Sequence, residues 1–181
     1  MLERFYPDRE TESAYTINYQ ELYEKGYRGV IFDIDNTLVP HGAPADEKAV
    51  LFFRNLREIG LQTVLLSNNK EPRVKGFADA VGTGYLFKAG KPGRRGYEKA
   101  MEVMGTVPES TFFVGDQLFT DVWGAKKAGI FTWLVKPIHP KEEIQIVLKR
   151  CLERIVLYFY HRTPPSSGPR CRGGKSGDSK K

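Results

Sequence analysis

Short apolar runs alternate with longer amphipathic stretches between residues 28 and 135 of this 181-residue chain. The runs are rich in β-branched and aromatic residues, which favours strands, and they lie at 29–34, 62–67, 85–87, 111–115 and 131–135. Apolar residues at helical spacing predict helices between them at 46–59, 71–81, 94–104 and 118–128. This alternation is typical of βαβ units, so we predict an α/β fold with a Rossmann-like parallel sheet flanked by helices.

The end of the chain predicts one more helix and then a change in composition. Helical spacing of apolar residues extends over 141–161, and this helix ends in the apolar run Leu157-Tyr-Phe-Tyr160. Such an end is by default part of the core, but a partner surface and a segment lying on a membrane remain open. Residues 162–181 are rich in Pro, Gly, Ser and Lys, which predicts a disordered basic tail. We therefore divide the chain into an extension (1–26) packed on or near the core, a main domain (27–161) and the tail.

The formal net charge of +6 would suggest a nucleic-acid partner if the positive charge were spread over the folded body. It is not, because residues 162–181 hold six basic residues and one acid, which leaves the body at +1. Nucleic acid is therefore not an expected partner, whereas contact between the tail and an anionic membrane stays open. The basic residues of the tail are Arg162, Arg170, Arg172, Lys175, Lys180 and Lys181.

Targeting signals and cysteine motifs are absent from the sequence. No apolar run approaches the roughly 20 residues that span a bilayer, and the first ten residues lack the apolar stretch of a secretory signal. We therefore expect a cytoplasmic protein, with peripheral membrane contact as the open alternative. The two cysteines, Cys151 and Cys171, have no metal-ligand spacing, so we expect neither a zinc site nor a disulfide framework.

Carboxylate, hydroxyl and ammonium side chains lie at or just after the ends of the predicted strands. In an open parallel sheet, ligands bind in the crevice outside these carboxyl ends, so the side chains should meet there. Carboxylates, a hydroxyl and an ammonium are what phosphoryl transfer needs. Magnesium prefers oxygen ligands, which Asp33, the backbone carbonyl of Asp35 and Asp116 could supply, and we expect Mg²⁺ as the cofactor. The side chains are those of Asp33, Asp35, Ser67, Lys91, Asp116 and Asp121.

These residues resemble, in order and spacing, the four motifs of the haloacid dehalogenase superfamily. The resemblance covers residues 27–135 and is most specific in the run Gly-Asp-Gln-Leu-Phe-Thr-Asp at 115–121. Within this superfamily, the motifs are most similar to those of the subclass IIIA phosphatases of the YqeG type, whose relatives include phosphatidylglycerophosphate phosphatases. The motifs are Asp-Ile-Asp-Asn-Thr-Leu-Val-Pro (33–40), Leu-Leu-Ser-Asn-Asn (65–69), Lys-Ala-Gly-Lys-Pro (88–92) and Val-Gly-Asp-Gln-Leu-Phe-Thr-Asp (114–121).

The resemblance implies a role for each motif residue. Asp33 would attack phosphorus to form an aspartyl phosphate, and Asp35 would act first as general acid and then as general base. Ser67, Asn68 and Lys91 would bind the phosphoryl oxygens. Without its neighbours in the other motifs, Lys91 would be interpreted as a surface lysine, and Lys88 is the alternative candidate. The residues implied for the metal are Asp33, Asp35, Asp116 and Asp121.

The spacing of the motifs leaves no room for an inserted cap domain, because only one helix and a loop fit between Asp35 and Ser67. An uncapped site admits a phosphate group presented by something large, such as a phospholipid headgroup. The resemblance implies phosphatidylglycerophosphate as the best substrate hypothesis. The alternatives are a small soluble phosphate ester or nucleotide, and a non-catalytic module that binds RNA or the ribosome. A phosphorylated receiver domain is disfavoured, since no acid follows Leu66 at the second strand's end.

Overall fold

The computed structural model of the protein describes residues 2–139 and 144–162. Residues 140–143, where the last predicted helix should begin, lie outside this range, and so does the predicted disordered tail from residue 163 onward. Within the described residues, the protein is a single sheet with helices on both of its faces.

The sheet has six parallel strands in the order β1-β6-β5-β2-β3-β4. This arrangement confirms the predicted fold class, with each predicted strand within one or two residues of its expected ends. The first strand was not predicted and comes from the N-terminal extension. The strands are β1 (Arg9–Thr11), β2 (Gly29–Phe32), β3 (Gln62–Leu66), β4 (Gly84–Leu86), β5 (Thr111–Gly115) and β6 (Phe131–Val135).

The helices of the central part begin and end at recognisable signals. In the second helix, the Asp46 carboxylate accepts a hydrogen bond from the Ala49 N–H (2.8 Å), and Gly60 ends the helix with a φ of 98°. The predicted helix over 118–128 is instead a π-helical turn, Leu118–Val122, that runs into a short α-helix. The helices are α1 (Tyr19–Glu24), α2 (Glu47–Ile59), α3 (Glu71–Val81), α4 (Arg94–Met104), α5 (Trp123–Lys127) and α6 (Ile144–Tyr160).

Two apolar clusters lie on the two faces of the sheet. All four residues of β2 are buried, and successive side chains of a strand point to opposite faces. Phe32 therefore packs with α2 and α3, through residues such as Phe53, while its neighbour Ile31 packs with α4 and α5, through residues such as Ala100. A parallel sheet covered on both faces explains why its strands are continuous apolar runs rather than alternating ones.

A third cluster joins both ends of the described chain to the turn after β5. Phe5 and Val156 pack against Leu118 and Val122 of the π-helical turn. Val156 is buried, but four other large apolar side chains of α6 are about half exposed, so the core interpretation is wrong for them. They are Leu152 (54%), Ile155 (55%), Tyr158 (50%) and Phe159 (46%).

No cap domain interrupts the described part of the core. Between β2 and β3 the chain forms only a loop and α2, and between β3 and β4 only α3, as the motif spacing predicts. Within 2–139 and 144–162, none of the helices combines the length and the apolar character needed to cross a membrane.

Candidate active site

Three acidic side chains converge at the carboxyl edge of the sheet. Asp33 directly follows β2, and its N–H still donates to the carbonyl of Val114 in β5 (3.0 Å). Asp116 directly follows β5, so the two carboxylates leave neighbouring parallel strands at the same edge. Asp121 reaches the same place from the π-helical turn. Oxygen atoms of Asp33, Asp116 and Asp121 lie within 4.8 Å of one another, and all three residues are buried.

Lys91 lies against two of these acids. Its ammonium donates to an oxygen of Asp33 (2.6 Å) and to one of Asp121 (2.7 Å), and its side chain is 5% exposed. The alternative candidate, Lys88, is exposed at the surface. The structure therefore brings Lys91, and not Lys88, into the acid cluster.

The crowding of charges in this cluster shifts the pKa values of its members. Burial raises the pKa of Asp33 to about 6, because the Lys91 ammonium offsets only part of the loss of water and the Asp121 and Asp35 carboxylates raise the pKa further. Burial alone would lower the pKa of Lys91, but the Asp121 and Asp33 carboxylates outweigh it and hold that pKa above its ordinary value. The lysine is therefore charged, and the charged form of Asp33 is disfavoured before a cation arrives.

Thr37 connects the first strand end to the fourth motif. Its hydroxyl lies 3.3 Å from an oxygen of Asp33 and 3.3 Å from an oxygen of Asp116, so a single hydrogen is shared between the two carboxylates. The chain can fold back in this way because Asn36 has a φ of 64°, a left-handed conformation that asparagine tolerates better than most residues. Thr37 belongs to the quoted motif, but its contacts with the acids were not predicted.

Asp121 is held by the turn that carries it. Its second oxygen accepts from the N–H of Gln117 (3.1 Å), and an added Cβ at Gly115 would lie 2.6 Å from that oxygen. The buried hydroxyl of Tyr97 also lies 3.0 Å from the carbonyl of Thr120 and 3.1 Å from that of Asp121. Gly115 thus leaves room for the carboxylate at the end of β5, and the Tyr97 hydroxyl binds the backbone of the turn that carries it.

Asp35 has different partners from the other acids. One of its oxygens accepts from the Arg73 guanidinium (2.9 Å) and from the N–H of Gly42 (2.8 Å). The other oxygen accepts from the Asn69 side chain (3.2 Å). Neither Arg73 nor Asn69 was predicted as a site residue, and an arginine in the polar run that opens α3 gives no sequence signal for this contact.

These partners reverse the effect of burial on the pKa of Asp35. Burial by itself raises the pKa, but the Gly42 N–H, Arg73 and Asn69 all favour the charged form and together hold the pKa below its ordinary value. The Asp35 carboxylate, at the edge of the cluster, is therefore stabilised in its charged form, whereas the charged form of Asp33 is disfavoured.

The residues predicted to bind phosphate lie at the end of β3 and in the loop that carries Lys91. Ser67 is buried and follows β3 directly, and its hydroxyl accepts from the Asn69 N–H (3.2 Å). The Asn68 amide accepts from the Lys91 N–H (2.8 Å) and donates to the Lys91 carbonyl (3.0 Å). In the structure Asn68 therefore positions the lysine backbone, which was not part of its predicted role.

The donor set fits a hard divalent cation. Three buried carboxylates converge beside one ammonium, and a divalent cation would add positive charge to this space. Burial, together with the Asp121 and Asp35 carboxylates, raises the pKa of Asp33, and a cation beside it would favour its charged form. Carboxylate oxygens without sulfur or imidazole are the ligands that Mg²⁺ prefers.

Comparison with known proteins agrees with this geometry. A family model described as haloacid dehalogenase-like hydrolase matches residues 43–129, which include Ser67, Lys91, Asp116 and Asp121 but not the first motif. A protein named "Probable phosphatase YqeG" from Bacillus subtilis (strain 168) is 34% identical over 87% of this chain and 92% of its own length. "Phosphatidylglycerophosphate phosphatase 1, chloroplastic/mitochondrial" from Arabidopsis thaliana is 26% identical over 81% of this chain and 44% of its own.

A solved structure supports the fold independently. A protein described as a subfamily III A hydrolase of the same superfamily, from Legionella pneumophila, superposes with a TM-score of 0.51 at 13% identity. The superposition covers 80% of this chain and 95% of that one. At this level of identity the similarity concerns the arrangement of the sheet and helices.

Proposed function

The chain belongs to the haloacid dehalogenase-like hydrolases, and we propose that it is a Mg²⁺-dependent phosphomonoester hydrolase that acts through an aspartyl phosphate on Asp33. The observation that carries the proposal is the buried cluster of three carboxylates around one lysine at the carboxyl edge of the sheet. Such a cluster is costly for a binding module to maintain, whereas a phosphoryl group and a cation give each charge a partner.

Asp33 is the proposed nucleophile. One of its oxygens forms the bond to phosphorus as the bond from phosphorus to the leaving oxygen breaks. Lys91 and Thr37 each contact one oxygen of this carboxylate and so limit its rotation. Ser67 and Lys91 are proposed to bind the phosphoryl oxygens as charge spreads over them.

The proposed cation ligands are carboxylates of the cluster and one backbone carbonyl. When bound, Mg²⁺ would supply positive charge to the phosphoryl oxygens and to the crowded acids. Because the Asp35 carboxylate is taken by Arg73, Asp35 would serve the metal through its backbone oxygen. The proposed ligands are Asp33, Asp35, Asp116 and Asp121.

Asp35 is the proposed acid and base. It gives a proton to the leaving alkoxide in the first half of the reaction, and it takes one from the water that hydrolyses the aspartyl phosphate in the second. The ion pair with Arg73 favours the charged form, which is the form that the second half needs. For the first half, we expect the arriving substrate to draw Arg73 away from the Asp35 carboxylate.

The proposed substrate is phosphatidylglycerophosphate, which would be hydrolysed to phosphatidylglycerol. The name of the Arabidopsis relative supports this, as does the lack of a cap between β2 and β4. An uncapped site is open to a phosphate group that remains attached to a large carrier. In this proposal the lipid headgroup enters the site while the acyl chains stay in the membrane.

The test is a comparison of substrates with and without metal. Purified protein is given phosphatidylglycerophosphate in vesicles, glycerol 3-phosphate or a nucleoside monophosphate, and released phosphate is measured with Mg²⁺ or with excess EDTA. We expect Mg²⁺-dependent release, highest kcat/KM for the lipid, and none from Asp33→Asn. A higher kcat/KM for a soluble ester would contradict the lipid as the substrate but not the hydrolase activity. Equal rates in Mg²⁺ and in EDTA would contradict the proposed mechanism.

A further inference from the structure

The outward face of α6 carries an unusual group of exposed apolar side chains. Four of the ten large apolar side chains that are most exposed among the described residues lie within 152–159. We call them the α6 apolar face. Elsewhere such side chains are scattered, which is normal for a protein surface, whereas a contiguous group marks a docking site. The α6 apolar face consists of Leu152, Ile155, Tyr158 and Phe159.

The spacing of buried residues shows that this face points away from the protein. Glu153 and Val156, at helical spacing, are 5% exposed and form the inner side of the helix. Leu152, Ile155 and Phe159 follow the i, i+3, i+7 pattern on a stripe beside this inner side, and each is about half exposed. The helix therefore carries large apolar side chains on a solvent-facing stripe as well as on its core side.

The chemistry around the α6 apolar face indicates what covers it. Arg154 and Arg162 are exposed beside it, and the Arg162 guanidinium lies 4.2 Å from the centre of the Tyr158 ring. The sequence that follows directly, residues 163–181, has five basic residues and one acid. Apolar and aromatic side chains flanked by arginines are the composition of helices that lie in the plane of an anionic membrane surface.

We propose that the α6 apolar face docks on an anionic lipid bilayer, with Arg154, Arg162 and the basic residues that follow attracting the headgroups. Two copies of this chain would bring their positive charges together if the face were a dimer interface, whereas an anionic bilayer neutralises them. The occupant that fits both the apolar residues and the charge is therefore the lipid surface.

The same helix is fixed to the rim of the active site. The buried Glu153 carboxylate accepts from the N–H of Leu118 (2.8 Å), and Leu118 begins the turn that carries Asp121. Val156 packs beside it in the same cluster. A bilayer in contact with the α6 apolar face would thus lie close to the turn that carries Asp121. This consequence rests on the proposed function, but the docking itself does not.

Vesicle binding tests the docking without reference to catalysis. The full-length protein is floated or sedimented with vesicles of phosphatidylcholine alone or of phosphatidylcholine with phosphatidylglycerol. We expect binding only to the anionic vesicles. The variant Leu152→Ser/Ile155→Ser/Phe159→Ser should lower the partition coefficient about tenfold or more. Removal of residues 163–181 should weaken it by roughly fivefold per lost net charge at low salt and by little at high salt.

A matched control uses exposed apolar residues on other helices. Val50 and Leu51 on α2 and Val103 on α4 are 40%, 47% and 54% exposed, so Val50→Ser/Leu51→Ser/Val103→Ser also removes three exposed apolar side chains without touching α6. We expect the control to bind vesicles within about twofold of the wild type. Both variants should have the circular dichroism spectrum and cooperative thermal unfolding of the wild type, which shows that they are folded.

The other possible outcomes would each contradict either the membrane docking or the proposed function. Equal vesicle binding by the α6 variant and the control overturns it, as does a wild-type protein that ignores anionic vesicles at low salt. If light scattering instead shows a dimer that the α6 variant converts to monomer, with no vesicle binding, the face is a self-association surface and the proposal is wrong. Vesicle binding that depends on α6 in a protein without phosphatase activity would overturn the proposed function and leave the docking intact.

Discussion

The carboxyl group of Asp33 lies inside the acid cluster, whereas that of Asp35, two residues further along the chain, lies at its edge beside Arg73. Burial among other acids raises the pKa of Asp33 to about 6, and the donors around Asp35 hold its pKa below the ordinary value. The same functional group, carried by the same turn, is thus driven in opposite directions by its neighbours.

This difference in pKa indicates which role in the reaction suits each carboxylate. Asp33 is held next to an ammonium in a buried space, and a cation bound there would further favour its charged form. Asp35 is ionised beforehand by donors that lie outside the cluster. Two equivalent carboxylates can thus be assigned different steps of one reaction by their surroundings alone.

Exchanging each carboxylate for its amide should separate the two positions most sharply. Asp33→Asn removes the proposed nucleophile and should lower kcat by at least about 10³-fold with no phosphorylated protein. Asp35→Asn should lower kcat by roughly 10²- to 10⁴-fold and leave phosphorylated protein that hydrolyses slowly. Acid quenching with radiolabelled substrate measures both. A phosphorylated Asp33→Asn protein would place the nucleophile elsewhere.

Removal of the lysine should expose the cost of burying the cluster. Lys91→Met leaves Asp33 and Asp121 without their ammonium and should lower the free energy of unfolding by about 3–5 kcal/mol. Lys88→Met, in the same loop but exposed, should change it by less than about 0.5 kcal/mol. Urea unfolding monitored by circular dichroism compares them, and equal effects would contradict the buried ion pairs.

A methyl group at Gly115 should disturb the cluster from the side of the strand. The added Cβ would lie 2.6 Å from Asp121 and from the Phe113 ring, so Gly115→Ala should cost about 1–3 kcal/mol of unfolding free energy and reduce turnover. Gly76→Ala in α3 meets nothing within 4 Å and should instead stabilise by about 0.5–1 kcal/mol. Thermal unfolding of the pair would show whether the close approach matters.

The smallest expected effect concerns the ion pair of Asp35. Its folded pKa is lowered, so the stabilisation is present at neutral pH and is lost as the pH falls through that pKa. Arg73→Gln should therefore cost about 1 kcal/mol at pH 7. The difference from wild type should shrink towards the lowest pH at which both proteins are folded.

The control for this pH dependence is Arg57→Gln. The Arg57 guanidinium donates to the carbonyls of Val81 and Gly82, and carbonyls do not titrate. The effect of Arg57→Gln should therefore be constant over the same range of pH. If the two variants respond to pH in the same way, the Arg73 contact does not depend on an ionised Asp35.

Most of the sheet could be predicted because its central strands are buried on both sides. Such strands are continuous apolar runs, and β2 and β5 are of this kind. β1 escaped prediction because Arg9–Thr11 is short and polar and pairs along one side only, with β6. An edge strand of this kind is recognised only once its partner is known.

Some features of the site follow from the position of a residue in the chain, and others depend on contacts between side chains. The strand-end rule predicted that Asp33 and Asp116 would meet, since parallel strands β2 and β5 deliver them to one edge. The contacts of Arg73 and Thr37 depend on side-chain direction and on the turn at Asn36, which sequence spacing does not specify. The roles assigned to the site residues stay predictions until the variants are measured.

The π-helical turn was missed for a related reason. Leu118, Val122 and Ala125 are spaced as in an α-helix, and all three are buried. The Tyr97 hydroxyl lies within hydrogen-bond distance of the Thr120 and Asp121 carbonyls, inside the turn that the apolar pattern alone describes as regular. The backbone around a site residue thus has a contact with a side chain distant in sequence, which the apolar pattern does not predict.

The pairing of β1 with β6 also has a consequence for self-association. β6 has the sequence Phe-Thr-Trp-Leu-Val, an aromatic and β-branched run that would template strands from other molecules if its outer edge were bare. β1 covers that edge with three residues, of which Arg9 and Glu10 are exposed and charged. The N-terminal extension therefore protects the sheet against edge-to-edge aggregation, and a protein shortened past Thr11 should precipitate more readily than it loses its fold.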